Sequence, residues 1–425
     1  MRATVPKAIG AGLAVAVGSY AGQAAQFRRQ AGKTTEFVDP APPGSADFAR
    51  WMEATCSAPL REGNRVRVLR NGDEIIPGML EAMSSARETI NFCNYIFWKG
   101  ETARAFAAVL GERAREGVKV NVLLDAYGSA KIERSVIPEL ERAGVDFSWF
   151  RAPHWYKAHQ FNNRMHRRVL VVDGRVAFSG GFGVADDWIG DAQGPGRWRD
   201  THLRIEGPAV RDILGAFLEN WNEATHRVLN GRHLPELDPF DDGVPVQVAR
   251  SSPGHGAATA ETLMLAAMAG AGQRLWVTTA YFAPRRAVVE TLVATAARGV
   301  DVRLLVNGSH IDKEVARRAG RRSYATLLEG GVRVFEYERT MMHAKVVVVD
   351  DAWANVGTSN WDNRSMALQE EINCSIVDSG VVTELEKHFL DDFESSQEID
   401  LDRWRDRPVT GRAYELAGEA LRHSL

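Results

Sequence analysis

The chain has 425 residues, 45% of them apolar and 25% charged, an ordinary balance for one to three globular domains. A net charge of −3 argues against the basic footprint of a general nucleic-acid binder, so no nucleic-acid partner is expected. The three cysteines, Cys56, Cys93 and Cys374, include no CxxC pair, which argues against a disulfide framework and a zinc ribbon; Cys93 and Cys374 fall in strand-like stretches and read as buried thiols.

Residues 1–47 read as a leader followed by a linker. The run 8–25 is apolar, small and glycine-rich, with Arg2 and Lys7 before it and Arg28 and Arg29 after it. A signal peptide, a weak membrane anchor and a disordered tail all fit that run, since its glycine and alanine content makes it poorly hydrophobic for a span. Residues 30–47 are polar and carry Pro40, Pro42 and Pro43, as a linker does.

From Arg65 onward, strand and helix patterns alternate. Apolar and β-branched runs predict strands at 66–69, 89–97, 118–124 and 145–150; 3.6-residue spacing predicts helices at 76–86, 103–116 and 133–143. The second half repeats the order, with strands at 246–248, 275–282 and 300–306 and helices at 259–269 and 287–298. A Gly-Val opens the third strand of each half (Gly117-Val118, Gly299-Val300) and another precedes the fourth (Gly144-Val145, Gly331-Val332). This predicts a duplicated α/β chain, with a mostly parallel sheet and helices on both faces, joined within the Gly- and Pro-rich stretch 229–243. The predicted domains are 48–235 and 236–425.

The duplication carries a chemical motif. His343-Ala344-Lys345 runs into four valines and Asp350; His166-Arg167-Arg168 runs into Val169-Leu170-Val171-Val172 and Asp173. The two histidines are 177 residues apart, and so are the two aspartates. In a strand, side chains two apart share a face, which sets His343 beside Lys345 and His166 beside Arg168. An imidazole can attack or protonate and a cation can hold an anion, a pairing suited to phosphoryl chemistry. The five-residue step to Asp350 is odd, pointing that carboxylate to the other face, where it would tie down the turn.

The motif pair resembles the phospholipase D superfamily, marked by two H-x-K-x4-D motifs, one per half. The second motif fits fully. The first has Arg168 where the family has Lys, and Gly183 stands where the second half has Asn360. The resemblance covers roughly residues 65–378 and implies two duplicated α/β/α sandwich domains packed face to face, with one active site at their pseudo-twofold interface. It implies a candidate catalytic set of His166, Arg168, Asp173, His343, Lys345 and Asp350. By resemblance, His166 forms a phosphohistidine and His343 serves as acid and base, with no metal or cofactor. Asp200 and Glu371, grouped with Asn360 as candidate binding residues, are placed to orient the histidines, because the family draws such a carboxylate from the neighbourhood of the other motif. Asn363 and Arg364 are further candidates for phosphate contact. Arg168 can still neutralise oxyanions, although its planar fork is bulkier than an ammonium.

The segments 125–129, 165–182 and 198–210 look like bacterial cardiolipin synthases of the shorter form without two N-terminal membrane helices. That implies phosphatidyl transfer between phosphatidylglycerol molecules with release of glycerol, at a bacterial cell membrane. Hydrolysis of the phospholipase D type, or a non-catalytic lipid-binding relative, stay open as alternatives. Trp149, Phe150, His154, Trp155, Tyr156, Lys157 and Phe161 mix aromatic and basic side chains as a lipid-facing surface does, and Trp188 and Trp198 could serve similarly.

Overall fold

The structure is a computed structural model that describes residues 36–152, 163–252 and 259–407. The run 8–25, the aromatic and basic residues His154 to Phe161 and the C-terminal stretch 414–425 lie outside the described residues.

In the first half, α1 (Ala46–Cys56) is followed by β1 (Arg61–Arg70), α2 (Asn71–Ser84), β2 (Thr89–Asn94), α3 (Glu101–Arg115), β3 (Lys119–Asp125), α4 (Val136–Arg142) and β4 (Asp146–Phe150). Then come β5 (Arg164–Met165), β6 (Val169–Val172), β7 (Val176–Gly180), β8 (Thr201–Glu206) and α5 (Val210–Thr225). The second half contains β9 (Val244–Ser251), α6 (Thr259–Gly270), β10 (Arg274–Thr278), β11 (Phe282–Ala283), α7 (Arg286–Ala297), β12 (Asp301–Asn307), α8 (Glu314–Arg321), α9 (Tyr324–Glu329) and β13 (Arg333–Tyr337). It ends with β14 (Val346–Val349), β15 (Trp353–Gly357), β16 (Trp361–Asp362), α10 (Asn363–Ala367), β17 (Gln369–Val377), α11 (Ser379–Glu394), β18 (Ser396–Glu398) and α12 (Leu401–Arg405).

The duplication is explicit in the strand order. The first half runs β1-β8-β7-β6-β2-β3-β4 and the second β9-β17-β15-β14-β10-β12-β13, the same arrangement strand for strand. The two join at β1 and β9, where only Arg61↔Val246 and Asn64↔Val244 register across an irregularity, so one sheet runs through both halves.

The expected mostly parallel sheet is corrected to a mixed one. Only β2-β3-β4 and β10-β12-β13 are mutually parallel within the two arrays. The motif strands β6 and β14 turn back through short connections into β7 and β15, and so short a link can join only antiparallel neighbours.

Helices cover both faces, and the strands bury side chains accordingly. Val169 and Val171 enter a central core while Leu170 and Val172 enter an outer one; Val346 and Val348 face the centre while Val347 and Val349 face outward. That two-sided burial explains why the motif strands read as continuous apolar runs. The central core lies between the halves and contains the apolar faces of α5 and α11, so the interface is itself a hydrophobic core. Helix α1 precedes the first half in sequence, yet Phe48, Met52 and Cys56 pack into the outer core of the second.

Candidate active site

His166 and His343 lie just before β6 and β14 rather than within them. Each is sewn by its backbone to the other half. β5 pairs in parallel with the start of β17, and the His166 amide donates to the Glu370 carbonyl at 2.9 Å. Likewise Arg199 bridges Met342, and the His343 amide donates to the Arg199 carbonyl at 2.7 Å. The residue that follows each of those carbonyl-bearing residues is an orienting carboxylate. His166 Nδ1 lies 2.9 and 3.0 Å from the two Glu371 oxygens, and His343 Nδ1 lies 3.0 Å from Asp200 Oδ2. All four side chains are buried. A carboxylate accepts, so each Nδ1 carries its proton and each Nε2 is left for chemistry.

The cations of the motifs sit where the alternation places them. Arg168 donates through Nη1 to the His166 carbonyl at 2.9 Å and through Nη2 toward His166 Nε2 at 3.1 Å. Lys345 Nζ lies 3.0 Å from Nδ1 and 3.3 Å from Nε2 of His343, and also bonds the His343 carbonyl. An ammonium only donates, so with Nδ1 committed to Asp200 its acceptor on the ring is Nε2. The fork of Arg168 thus reproduces from one side chain the two contacts that Lys345 makes.

The two carboxylates are held differently. Asp200 accepts from Trp188 Nε1 at 2.7 Å and from the Thr201 amide at 2.8 Å, besides His343. Burial works to raise its pKa, but the His343 bond, the charge of Lys345 and the Trp188 bond prevail and hold it well below the usual carboxylate range. Glu371 is bonded by the Thr358 and Ser365 hydroxyls, and burial prevails there, pushing its pKa up to about 7 against those bonds and the charges of Arg168 and Lys345. Burial also holds His166 and His343 well below the ordinary histidine value, helped at His166 by Arg168 and at His343 by Lys345; Asp200 opposes the shift at His343.

Local sequence explains the difference. Thr358 and Asn360 occupy the places, 177 residues on, of Gly181 and Gly183. A Cβ on Gly181 would come 2.1 Å from Asp200 Oδ1, and one on Gly183 would come 2.9 Å from the Trp188 ring. The first half therefore gives up side chains at both positions and lets an indole deliver the hydrogen bond that a threonine delivers in the second. Neither Trp188 nor Thr358 belongs to the motif; the two glycines were the sequence signal for them.

Several expectations need correction. Asp173 and Asp350, which the resemblance grouped with the catalytic residues, tie down their turns, as the odd step to Asp350 implies. Asp173 accepts from the amides of Arg87, Glu88 and Thr89, and Asp350 from those of Gly272, Gln273 and Arg274, tying each turn to the entry of a neighbouring strand. Both adopt positive φ, 52° and 51°, which a short polar side chain tolerates. Asp200 and Glu371 face the imidazoles rather than a binding surface. Asn360 is buried, with Nδ2 3.4 Å from Ser365 Oγ and Oδ1 without a hydrogen-bond partner among the described residues. Asn363 accepts from Arg285 Nε at 2.9 Å, while Arg364 adds its charge to the field that lowers the His166 pKa. Phe150, Trp188 and Trp198 are buried rather than lipid-facing, because Phe150 joins the central core and the two tryptophans pack against His343 with ring centres 5.1 and 5.3 Å away.

Both histidines open onto one cavity of about 440 Å³, lined also by Arg168, Tyr95, Trp98, Trp198, Tyr281 and Lys313. Two imidazoles, two cations and an aromatic wall can place a phosphodiester between a nucleophile and an acid while neutralising its oxygens. Among the described residues no helix is long and apolar enough to cross a membrane.

The chain is similar to known proteins over most of its length. Residues 79–187 and 264–393 match the family described as "Cardiolipin synthase, PLD-like domain". A cardiolipin synthase of Geobacillus kaustophilus is 35% identical over 368 residues, covering 85% of this chain and 73% of its own. Cardiolipin synthase A of Pseudomonas fluorescens is 35% identical over 349 residues, covering 82% and 72%. The crystal structure of phosphatidylserine synthase from Haemophilus influenzae superimposes with a TM-score of 0.62 at 14% identity, over 89% of this chain and all of that one, a likeness of fold. With both motif-bearing halves matched and the relatives aligned across most of the chain, it belongs to the cardiolipin synthase family of the phospholipase D superfamily, a family of phosphatidyltransferases.

Proposed function

We propose that this protein transfers a phosphatidyl group from one phosphatidylglycerol to a second, releasing glycerol, at the surface of a bacterial membrane. In the first half-reaction His166 Nε2 attacks phosphorus. A P–N bond forms, the P–O bond to the head-group glycerol breaks, and protonated His343 gives its proton to the departing oxygen. In the second, a hydroxyl of another phosphatidylglycerol gives its proton to His343 and attacks phosphorus. The P–N bond breaks and cardiolipin leaves. Arg168 and Lys345 neutralise the non-bridging oxygens throughout.

The observation that carries the reading is the crossed pairing: each buried imidazole is pinned at Nδ1 by a carboxylate from the opposite half, and both open onto one cavity. The carboxylates support this division of roles. Ionised Asp200 works against the burial and the Lys345 charge that depress the His343 pKa, which favours His343 as the acid, whereas His166 beside a more weakly acidic Glu371 suits a neutral nucleophile. Incubating purified protein with phosphatidylglycerol vesicles and resolving the lipids tests the proposal. Cardiolipin with stoichiometric glycerol is expected; phosphatidic acid as the only lipid product would replace transfer by hydrolysis.

A further inference from the structure

Transfer between two phosphatidylglycerols brings two phosphodiesters into one cavity, but the motif cations serve only the reacting one. Arg168 and Lys345 stand among Asp200 and Glu371, so the reaction centre is close to charge balance before any second anion arrives. The acceptor's own phosphate must lie a glycerol's length from its attacking hydroxyl, toward the mouth and on the side served by His343.

Two further cations line the same cavity, Lys131 and Lys313, and the charge of Lys313 also reaches His166. Lys313 Nζ lies 4.7 Å from the centre of the Tyr281 ring, which is 6.5 Å from that of His343. Lys131 Nζ lies 3.9 Å from the Trp98 ring; Trp98 meets Trp198 at 6.5 Å, and Trp198 meets His343 at 5.3 Å. Both lysines are exposed, and among the described residues neither takes part in an ion pair. The acids that bear on them are Asp187 for Lys131 and Asp312 and Asp362 for Lys313, whose pKa burial and Arg364 lower against those two; Asp312 accepts the Tyr281 hydroxyl at 2.7 Å. An aromatic face holds an ammonium in place without neutralising it, so each lysine keeps its charge for an anion.

We propose that Lys131 and Lys313 form a second anion subsite, which takes the phosphodiester of the acceptor phosphatidylglycerol and sets its terminal hydroxyl against His343. The subsite rests on the transferase reading above and deepens it: it makes phosphatidylglycerol preferred over free glycerol as acceptor.

The test sets the two acceptors against each other. Phosphatidylglycerol vesicles are supplied with radiolabelled free glycerol, and two products are counted: cardiolipin, and phosphatidylglycerol that has exchanged its head group for labelled glycerol. Free glycerol carries no phosphate and has no use for the subsite. In the double variant Lys131→Met/Lys313→Met the ratio of cardiolipin to exchanged lipid should fall about tenfold or more, and the double Arg variant should regain most of it. The single variants, each altering one exposed side chain, should move the ratio part of the way. An unchanged ratio, whether both products persist or decline together, overturns the subsite and leaves the transferase reading standing. Wild-type protein that exchanges glycerol but makes no cardiolipin overturns the transferase reading, and the subsite with it.

Discussion

The two halves share a strand order and a motif spacing, yet they surround their histidines differently. His343 has an ammonium beside its ring and an ionised aspartate that an indole and a backbone amide hold in place. His166 has a guanidinium and a glutamate, held by the hydroxyls of Thr358 and Ser365, whose proton affinity burial has raised. Backbone symmetry delivers two imidazoles to one cavity; side chains outside the motifs make them chemically unequal. Transfer through a covalent intermediate needs that inequality, because one imidazole must be neutral when the other is protonated.

Removing either imbalanced partner should separate the halves, and the largest effect falls on the histidines themselves. His343→Ala should abolish cardiolipin formation, a loss on the order of 10⁴-fold or more in kcat; full turnover in that variant would end the two-histidine account. The carboxylates come next. Asp200→Asn should cost on the order of 10²–10⁴-fold, since the amide favours the wrong tautomer and no longer stabilises an imidazolium. Glu371→Gln should cost less, roughly 10–100-fold. Equal losses would mean that the two environments are chemically interchangeable.

The same pair predicts a pH signature. The folded-state pKa of Glu371, about 7, lies above its ordinary 4.5, so its contribution to stability is fully present below pH 4.5 and is lost as pH rises through 7. The histidines are depressed from 6.5, so theirs is present above pH 6.5 and is lost as pH falls below it. The two slopes oppose each other between pH 4.5 and 6.5. Glu371→Gln should therefore gain about 1–3 kcal/mol more than wild type on going from pH 5 to pH 7 in denaturant titrations.

Smaller effects probe the motif cations and the turns. Arg168→Lys copies the second half into the first, and because Lys345 already makes the equivalent contacts, activity should stay within about tenfold of wild type. A much larger loss would show that the fork is required. Asp173→Ala and Asp350→Ala should lower stability by about 1–3 kcal/mol each through orphaned amides, with activity per folded molecule retained, as thermal melts and steady-state rates would show.

Much of this was legible in the sequence. The 177-residue offset paired the motifs, the apolar runs located the strands, and the odd step to Asp350 placed its carboxylate away from the cavity. The crossed carboxylates followed from the family resemblance alone, since local periodicity carries no information about which half supplies a partner. The β1–β9 seam, the mixed pairing and the placement of α1 on the second half are long-range packing outcomes of the same kind. Trp188 was misread because it shares a loop with Trp198, which Arg197 and Arg199 flank as at a lipid-facing surface; only Gly183, emptied to admit the ring, marked it as buried.

The inequality of the halves is tested most directly by trapping the covalent intermediate. Protein mixed with phosphatidylglycerol labelled at phosphorus should be quenched in alkali, where phosphohistidine survives, then digested and mapped by mass spectrometry. The label should sit on His166, and Arg168→Lys should leave it there. Label on His343, or divided evenly between the two, would contradict the assignment of nucleophile and acid.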